Sequence, residues 1–179
     1  MKLSAIILLP IFVLSGCTTN YTSSDSQTTN QNKQYGFGDS VKVGNVVFQI
    51  NNATNTNKIG TEYVGAETEY NFVILNLTVK NIGKKEISLL SDMMTLHNGD
   101  KTYETHSSGI YLENGFYVIE TIGADISKTI NVVYETPIEY TPDFYLVVKE
   151  SSYSYTSDKI YLKWKEKLCR KKFVIGENH

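Results

Sequence analysis

The 179-residue chain has little of several things, and each shortage removes a class of protein. It has two cysteines, Cys17 and Cys169, too few for a disulfide framework or a thiolate metal site. It has three prolines, so no Pro-rich spacer is present, and no internal repeat is visible. Its N-terminal apolar stretch, Ala5 to Val13, has nine residues. As a helix this run would be about 14 Å long, against a hydrocarbon core of roughly 30 Å, so it is not a membrane span. No serine sits in a Gly-x-Ser-x-Gly elbow and no glycine-rich loop leads into a helix, which removes the hydrolase triad and the phosphate-cradling loop. No 11-residue window keeps a helical period of 3.6.

The apolar run has a different use. Lys2, the run itself and the small residues after it describe a secretory signal, and Pro10 breaks it as a core helix would not allow. The stretch Leu14-Ser15-Gly16-Cys17 resembles the lipobox of bacterial lipoproteins. The resemblance implies that Leu14, Ser15 and Gly16 are read by a dedicated peptidase, which cuts before Cys17. It also implies that the Cys17 thiol carries a diacylglyceryl group. Small residues suit a cleft that must admit nearly bare backbone. Two or more acyl chains anchor stably, at about 0.8 kcal/mol per buried methylene. The expectation is a protein held to the outer face of a membrane by lipid.

Residues 17–34 follow as a tether. Ser, Thr, Asn and Gln dominate it and Tyr21 is its one large apolar group, so it cannot bury enough surface to offset its ordering entropy. Stretched, it reaches at most about 60 Å. From Tyr35 to Trp164 the composition changes: aromatic and β-branched residues alternate with polar ones in short runs. Val46, Phe48 and Ile50 share one face, as do Val73, Leu75, Leu77 and Val79. Ile126, Ile130, Val132 and Tyr134 form a third set, Phe144, Leu146 and Val148 a fourth, and Ile160, Leu162 and Trp164 a fifth. Shorter candidates are EISLL, MTLHN, KTYET and GFYVI. Gly44-Asn45 and Asn98-Gly99 mark tight hairpins. Eight or nine short strands over 35–164, with no helix, predict an all-β, single antiparallel sandwich, with a small barrel as the alternative. An odd strand count would put chain entry and exit at opposite ends, roughly 35–40 Å apart.

Several segments resemble one family. YGFGDSVKVGNVVFQINNA, YNFVILNLTVKNIGKKEISL, LHNGDKTYETH, IGADISKTINVVYETP and FYLVVK are similar to a group of Gram-positive lipoproteins that carry one telokin-like, immunoglobulin-like β-sandwich of unknown function. Asn81, the Asn98-Gly99 hairpin with Tyr103, and Gly123 carry the likeness most specifically. Ile122 departs from it, standing where the family has proline. The resemblance implies fold and location, and no reaction.

Charge is divided. From Gln34 to Asp158 there are 16 carboxylates against 8 lysines; from Lys159 to His179, six lysines and Arg170 stand against two glutamates. Residues 165–179 are a basic tail suited to anionic surfaces or to the acidic domain itself. A metal site would need His97 and His106, which about four strand steps of 3.4 Å should keep too far apart. Glu67 with Glu69 and Asp92 with Asp100 read as solvated carboxylates. NNATNTN, residues 51–57, reads as an Asn-rich loop. Tyr63, Tyr70, Tyr111, Tyr117, Tyr153 and Tyr155 fall near strand ends or loops, and the ESSYSYTS segment is the first candidate for a ligand surface. Cys169, among basic residues, should be a reactive thiol.

The expectation is a monomeric, non-catalytic binding module at the extracytoplasmic face of the cell membrane, without metal or cofactor. Its partners are the bilayer, through Cys17, and a protein or glycan, not nucleic acid. The competing expectation is an envelope regulatory or phage-exclusion factor that acts through a membrane protein.

Overall fold

The computed structural model describes residues 34–163. The signal peptide with Leu14, Ser15, Gly16 and Cys17, the tether up to residue 33, Trp164 and the tail with Cys169 lie outside the described residues.

Ten strands and two short 3-10 turns follow in chain order. They are β1 (Val41–Val43), β2 (Val46–Gly60), β3 (Gly65–Asn81), β4 (Ile87–Leu90), β5 (Met94–Asn98), β6 (Lys101–Tyr103), β7 (Ile119–Ile122), β8 (Ser127–Thr136), β9 (Tyr145–Lys149) and β10 (Ser157–Tyr161). One sheet has the order β1-β2-β3-β8 and the other β10-β9-β5-β6, with β4 and β7 paired separately. Every named pairing is antiparallel. The two sheets form a β-sandwich, as the alternation in the sequence requires: a strand with one apolar face must bury it against another layer.

The inner faces are those read from the sequence. Val46, Phe48, Ile50, Val73, Leu75, Leu77 and Val79 from one sheet are fully buried. They form one core with Leu96, Leu146, Val148 and Ile160 from the other. Tyr134 crosses between the layers, its hydroxyl donating to the Met94 carbonyl at 3.1 Å. Gly44-Asn45 turns β1 into β2 with Val43 opposite Val46. The second tight loop is Gly99-Asp100, closed by Asn98 opposite Lys101. Both first glycines have positive φ, 59° and 58°, the left-handed region that a two-residue hairpin uses.

Four expectations are corrected. NNATNTN is strand, not loop: β2 runs through it to Gly60 beside the 17-residue β3. Asparagine is a poor strand former, but here its amides have partners. Asn51 Nδ2 donates to Asn76 Oδ1 at 2.8 Å, Asn76 Nδ2 to Asn131 Oδ1 at 2.8 Å, and Asn55 Oδ1 accepts from the Tyr140 N–H at 3.1 Å. Glu67 and Glu69 therefore stand on β3 itself. The GFYVI strand begins later, at Ile119, because Phe116 hydrogen-bonds instead to Asn131 as a covering loop. Ile126 is exposed, since it precedes β8 in a turn. Finally, chain entry and exit are neighbours. Residues 35–37 run alongside the last strand, with Tyr35 and Ile160 bridged in parallel. Tyr161 N–H donates to the Tyr35 carbonyl and Phe37 N–H to the Lys163 carbonyl, each at 2.9 Å. This added segment brings the chain's entry to the edge from which it leaves.

Asn81 closes the end of β3. Its side chain is fully buried, with Nδ2 donating to the carbonyls of Lys85, Ile122 and Gly123 at 2.7, 3.0 and 3.1 Å. Its Oδ1 accepts from the Gly83 N–H at 2.8 Å. One side chain thus ties the 82–86 loop to the end of β7. Ile122, buried at that end, contributes one of the carbonyls.

Candidate functional site

The outer face of the β10-β9-β5-β6 sheet carries an unusual row. The register places Tyr161, Tyr145, His97 and Thr102 side by side across all four strands. Their side chains stand out from the sheet because their neighbours Leu96, Leu146 and Ile160 point into the core. The Tyr145 and Tyr161 rings lie 5.5 Å apart. The Tyr145 and His97 rings are stacked at 5.3 Å with their planes 11° apart.

Lysines flank this row. Lys159 Nζ sits 4.6 Å above the Tyr145 ring and Lys163 Nζ 4.8 Å above the Tyr161 ring. Both distances are within the range of a cation held on an aromatic face. Lys163 also donates to the Gln34 side chain at 2.8 Å. Lys149, opposite Ser157, continues the face toward the β9–β10 loop, where Tyr153 and Tyr155 are fully exposed. None of the outward-facing residues on these four strands is acidic. Among the described residues the one ion pair is Lys128 with Glu120, elsewhere in the fold. Residues 34–163 hold sixteen carboxylates against ten lysines and no arginine. A face whose outward strand positions carry lysine and no carboxylate is, on this acidic domain, a local arrangement and not a reflection of net charge.

His97 is fixed at the centre. Its Nε2 is 2.9 Å from the Thr95 hydroxyl and its Nδ1 3.2 Å from the Thr102 hydroxyl. Partial burial, then the Lys159 and Lys149 charges, hold its pKa below the usual histidine value, so the ring is neutral at pH 7.

The sequence-predicted candidates are placed as follows. His97 and His106 do not meet. His106 accepts from the Ser108 N–H at the start of a 3-10 turn and packs against Phe72 at 5.4 Å. Among the described residues no group of three or more His, Cys, Asp or Glu is arranged to hold a metal. Tyr63 is exposed between β2 and β3 and Tyr70 lies on β3, both away from the row. Tyr153 and Tyr155 of ESSYSYTS adjoin the Lys149 end of the face. Tyr145 and Tyr161 were missed. Their signal was present as the outward positions of DFYLVVK and KIYLKW, but neighbourhood across strands needs the pairing order. A separate cleft of about 500 Å³ lies beside the Asn81 loop, lined by Lys84, Lys85, Glu86 and Glu150 among others. Its charges are of both signs, and it gathers no aromatic group.

Comparison with known proteins adds the following. A profile of a domain of unknown function, DUF4352, matches residues 35–160. No curated protein matches the chain. Among solved structures, the yjhA protein of Bacillus subtilis is similar with a TM-score of 0.55 at 16% identity, over 73% of this chain and 100% of that one. A conserved hypothetical protein of Bacillus anthracis gives a TM-score of 0.54 at 16% identity, over 73% and 96%. The Bacillus subtilis protein ycdA, described as a candidate lipoprotein, gives a TM-score of 0.51 at 20% identity, over 72% of this chain and 39% of its own longer one. At such identities these likenesses are of fold.

Proposed function

The chain belongs to the DUF4352 family of domains of unknown function, and on that footing we propose that it is a lipid-anchored, extracytoplasmic binding module that holds its ligand on the outer face of the β10-β9-β5-β6 sheet. The observation that carries the reading is the row Tyr161–Tyr145–His97 with Lys159 and Lys163 lying on its rings. Aromatic rings lying on a rigid sheet offer stacking area at low entropic cost, and the lysines add charge recognition.

The anchoring part rests on Leu14-Ser15-Gly16-Cys17, and the description of ycdA as a candidate lipoprotein supports it. In this reading the basic tail adds a second contact with the membrane. Gln34 and Lys163, the first and last described residues, touch each other. Beyond Lys163 the sequence carries Lys165, Lys167, Arg170, Lys171 and Lys172. Each cation near an anionic leaflet contributes about 1 kcal/mol. An acyl anchor with a polybasic segment is the two-signal arrangement that makes membrane attachment stable.

Two experiments test the reading. Cys17→Ser should abolish acyl labelling and release the protein, or leave an uncleaved precursor; a serine variant still labelled with palmitate and still membrane-bound refutes the anchor. Capture from solubilised envelope should depend on the face. If Tyr145→Leu and Lys159→Glu leave every captured component unchanged, the sheet face is not the binding surface. Capture of a membrane protein instead of wall glycan would favour an envelope regulatory role.

A further inference from the structure

We infer that the ligand of this face is a base-free polymer of repeating phosphodiesters on a polyol backbone, an inference that rests on the binding-face reading above. Three features select this chemistry. The face is cationic within an acidic domain and its outward strand positions hold no carboxylate, so the complementary ligand is anionic. The charge is carried by lysine alone. Lysine binds as a compact point charge with rotatable donors, which suits a tetrahedral phosphate, whereas planar carboxylates are matched by the arginine fork that this domain lacks. Lastly, the cations alternate with the half-buried rings of Tyr145 and Tyr161, whose remaining open surface apolar C–H groups between phosphates can cover.

Spacing agrees with a repeating ligand. Lys149 pairs with Ser157, two positions from Lys159, so these two lysines are diagonal neighbours about 7–8 Å apart at the backbone. Lys163 lies just past β10, after a tight turn in which its N–H donates to the Tyr161 carbonyl at 2.8 Å, so it stands nearer to Lys159 than the about 13 Å of four extended steps. A phosphodiester repeat of six backbone bonds spans about 7 Å, taking about 3.6 Å for three extended bonds. One repeat therefore fits the first interval and one to two the second. The two hydroxyls beside His97, from Thr95 and Thr102, lie farther in on the same face, where a polyol can hydrogen-bond.

The test is binding of the full chain in neutral detergent to a glycerol phosphate oligomer of about 15 repeats. Dextran of equal length and single-stranded DNA of equal charge serve as the other arms. The oligomer should bind, with log affinity falling linearly in log salt at a slope of about 2–3, as expected for three phosphate contacts. Lys159→Glu with Lys163→Glu should weaken it at least tenfold. Lys84→Glu with Lys85→Glu makes the same change in net charge elsewhere and should weaken it less than twofold. The Lys159→Gln, Lys163→Gln pair, milder for folding, should lose about fivefold with an unchanged melting temperature. Equal weakening by both glutamate pairs would show a net-charge effect and overturn the inference, as would failure of the oligomer to bind. Tighter binding of the DNA would assign the face to nucleic acid and also overturn it. If dextran binds instead and Tyr145→Leu abolishes that binding, the phosphodiester assignment fails while the binding face stands. If no arm binds and envelope capture ignores the face variants, both fail.

Discussion

Replacing Asn81 should be the most damaging single polar change in this domain. Two Nδ2 hydrogens are shared among three carbonyls, and Oδ1 holds the Gly83 N–H. The side chain is fully buried, so Asn81→Ala removes about three hydrogen bonds with little water to replace them. At about 1–1.5 kcal/mol each, and with the Gly83 N–H left unpaired, the loss is about 3–5 kcal/mol. Total stability for a domain of this kind is about 5–15 kcal/mol, so the variant should be marginal. For about 130 residues, a loss of 3–5 kcal/mol lowers Tm by about 10–20 °C. The assay is urea unfolding followed by circular dichroism, with the midpoint falling and the slope unchanged. Asn81→Asp sharpens the test. It keeps the shape but, ionised, presents an acceptor to three carbonyls. Its folded pKa must then rise above the unfolded value of about 3.9, so its stability is present below that value and lost as pH rises toward 7. Asn81→Asp should therefore be closer to wild type at pH 4 than at pH 7. If Asn81→Ala costs under about 1 kcal/mol, or Asn81→Asp matches wild type at pH 7, the hub has been misread.

Three further outcomes are expected. Tyr134→Phe should cost about 1–2 kcal/mol by leaving the Met94 carbonyl without its partner; because burial raises the Tyr134 pKa, one tyrosine fewer should ionise in an alkaline titration of the wild type at 295 nm. Gly44→Ala should cost about 1–2 kcal/mol and more than Gly99→Ala. Both have positive φ, but only at Gly44 would the added carbon strike the Glu150 carboxylate that accepts from Asn45 N–H, so equal melting temperatures would disprove the reason given. The lowered His97 pKa means that the unfolded chain takes up a proton first as pH falls below about 6.5, so stability should decline from there through the folded pKa. His97→Gln should flatten that decline in thermal melts between pH 8 and 5, and an unchanged profile would refute it.

The sequence alone settled which faces are buried. Period-two alternation allows only one side of a strand to be apolar, and Val73, Leu75, Leu77 and Val79 read the same way in any sandwich. It also placed both hairpins, because a glycine at a turn is a local requirement, and it marked Asn81 without showing what the amide holds. Three matters were decided only by tertiary structure. Residues 51–57 are strand because Asn76 and Asn131, far along the chain, satisfy an asparagine amide that a local reading assigns to a loop. Entry and exit meet because residues 35–37 add to the edge of β10, a pairing that no count of strands contains. The candidate face exists because β9 lies between β10 and β5, which sets Tyr145 between Tyr161 and His97. Alternation tells which side of its own strand a residue occupies; what stands beside it on the next strand is fixed by long-range pairing, and in this protein that pairing assembles the rings and the lysines.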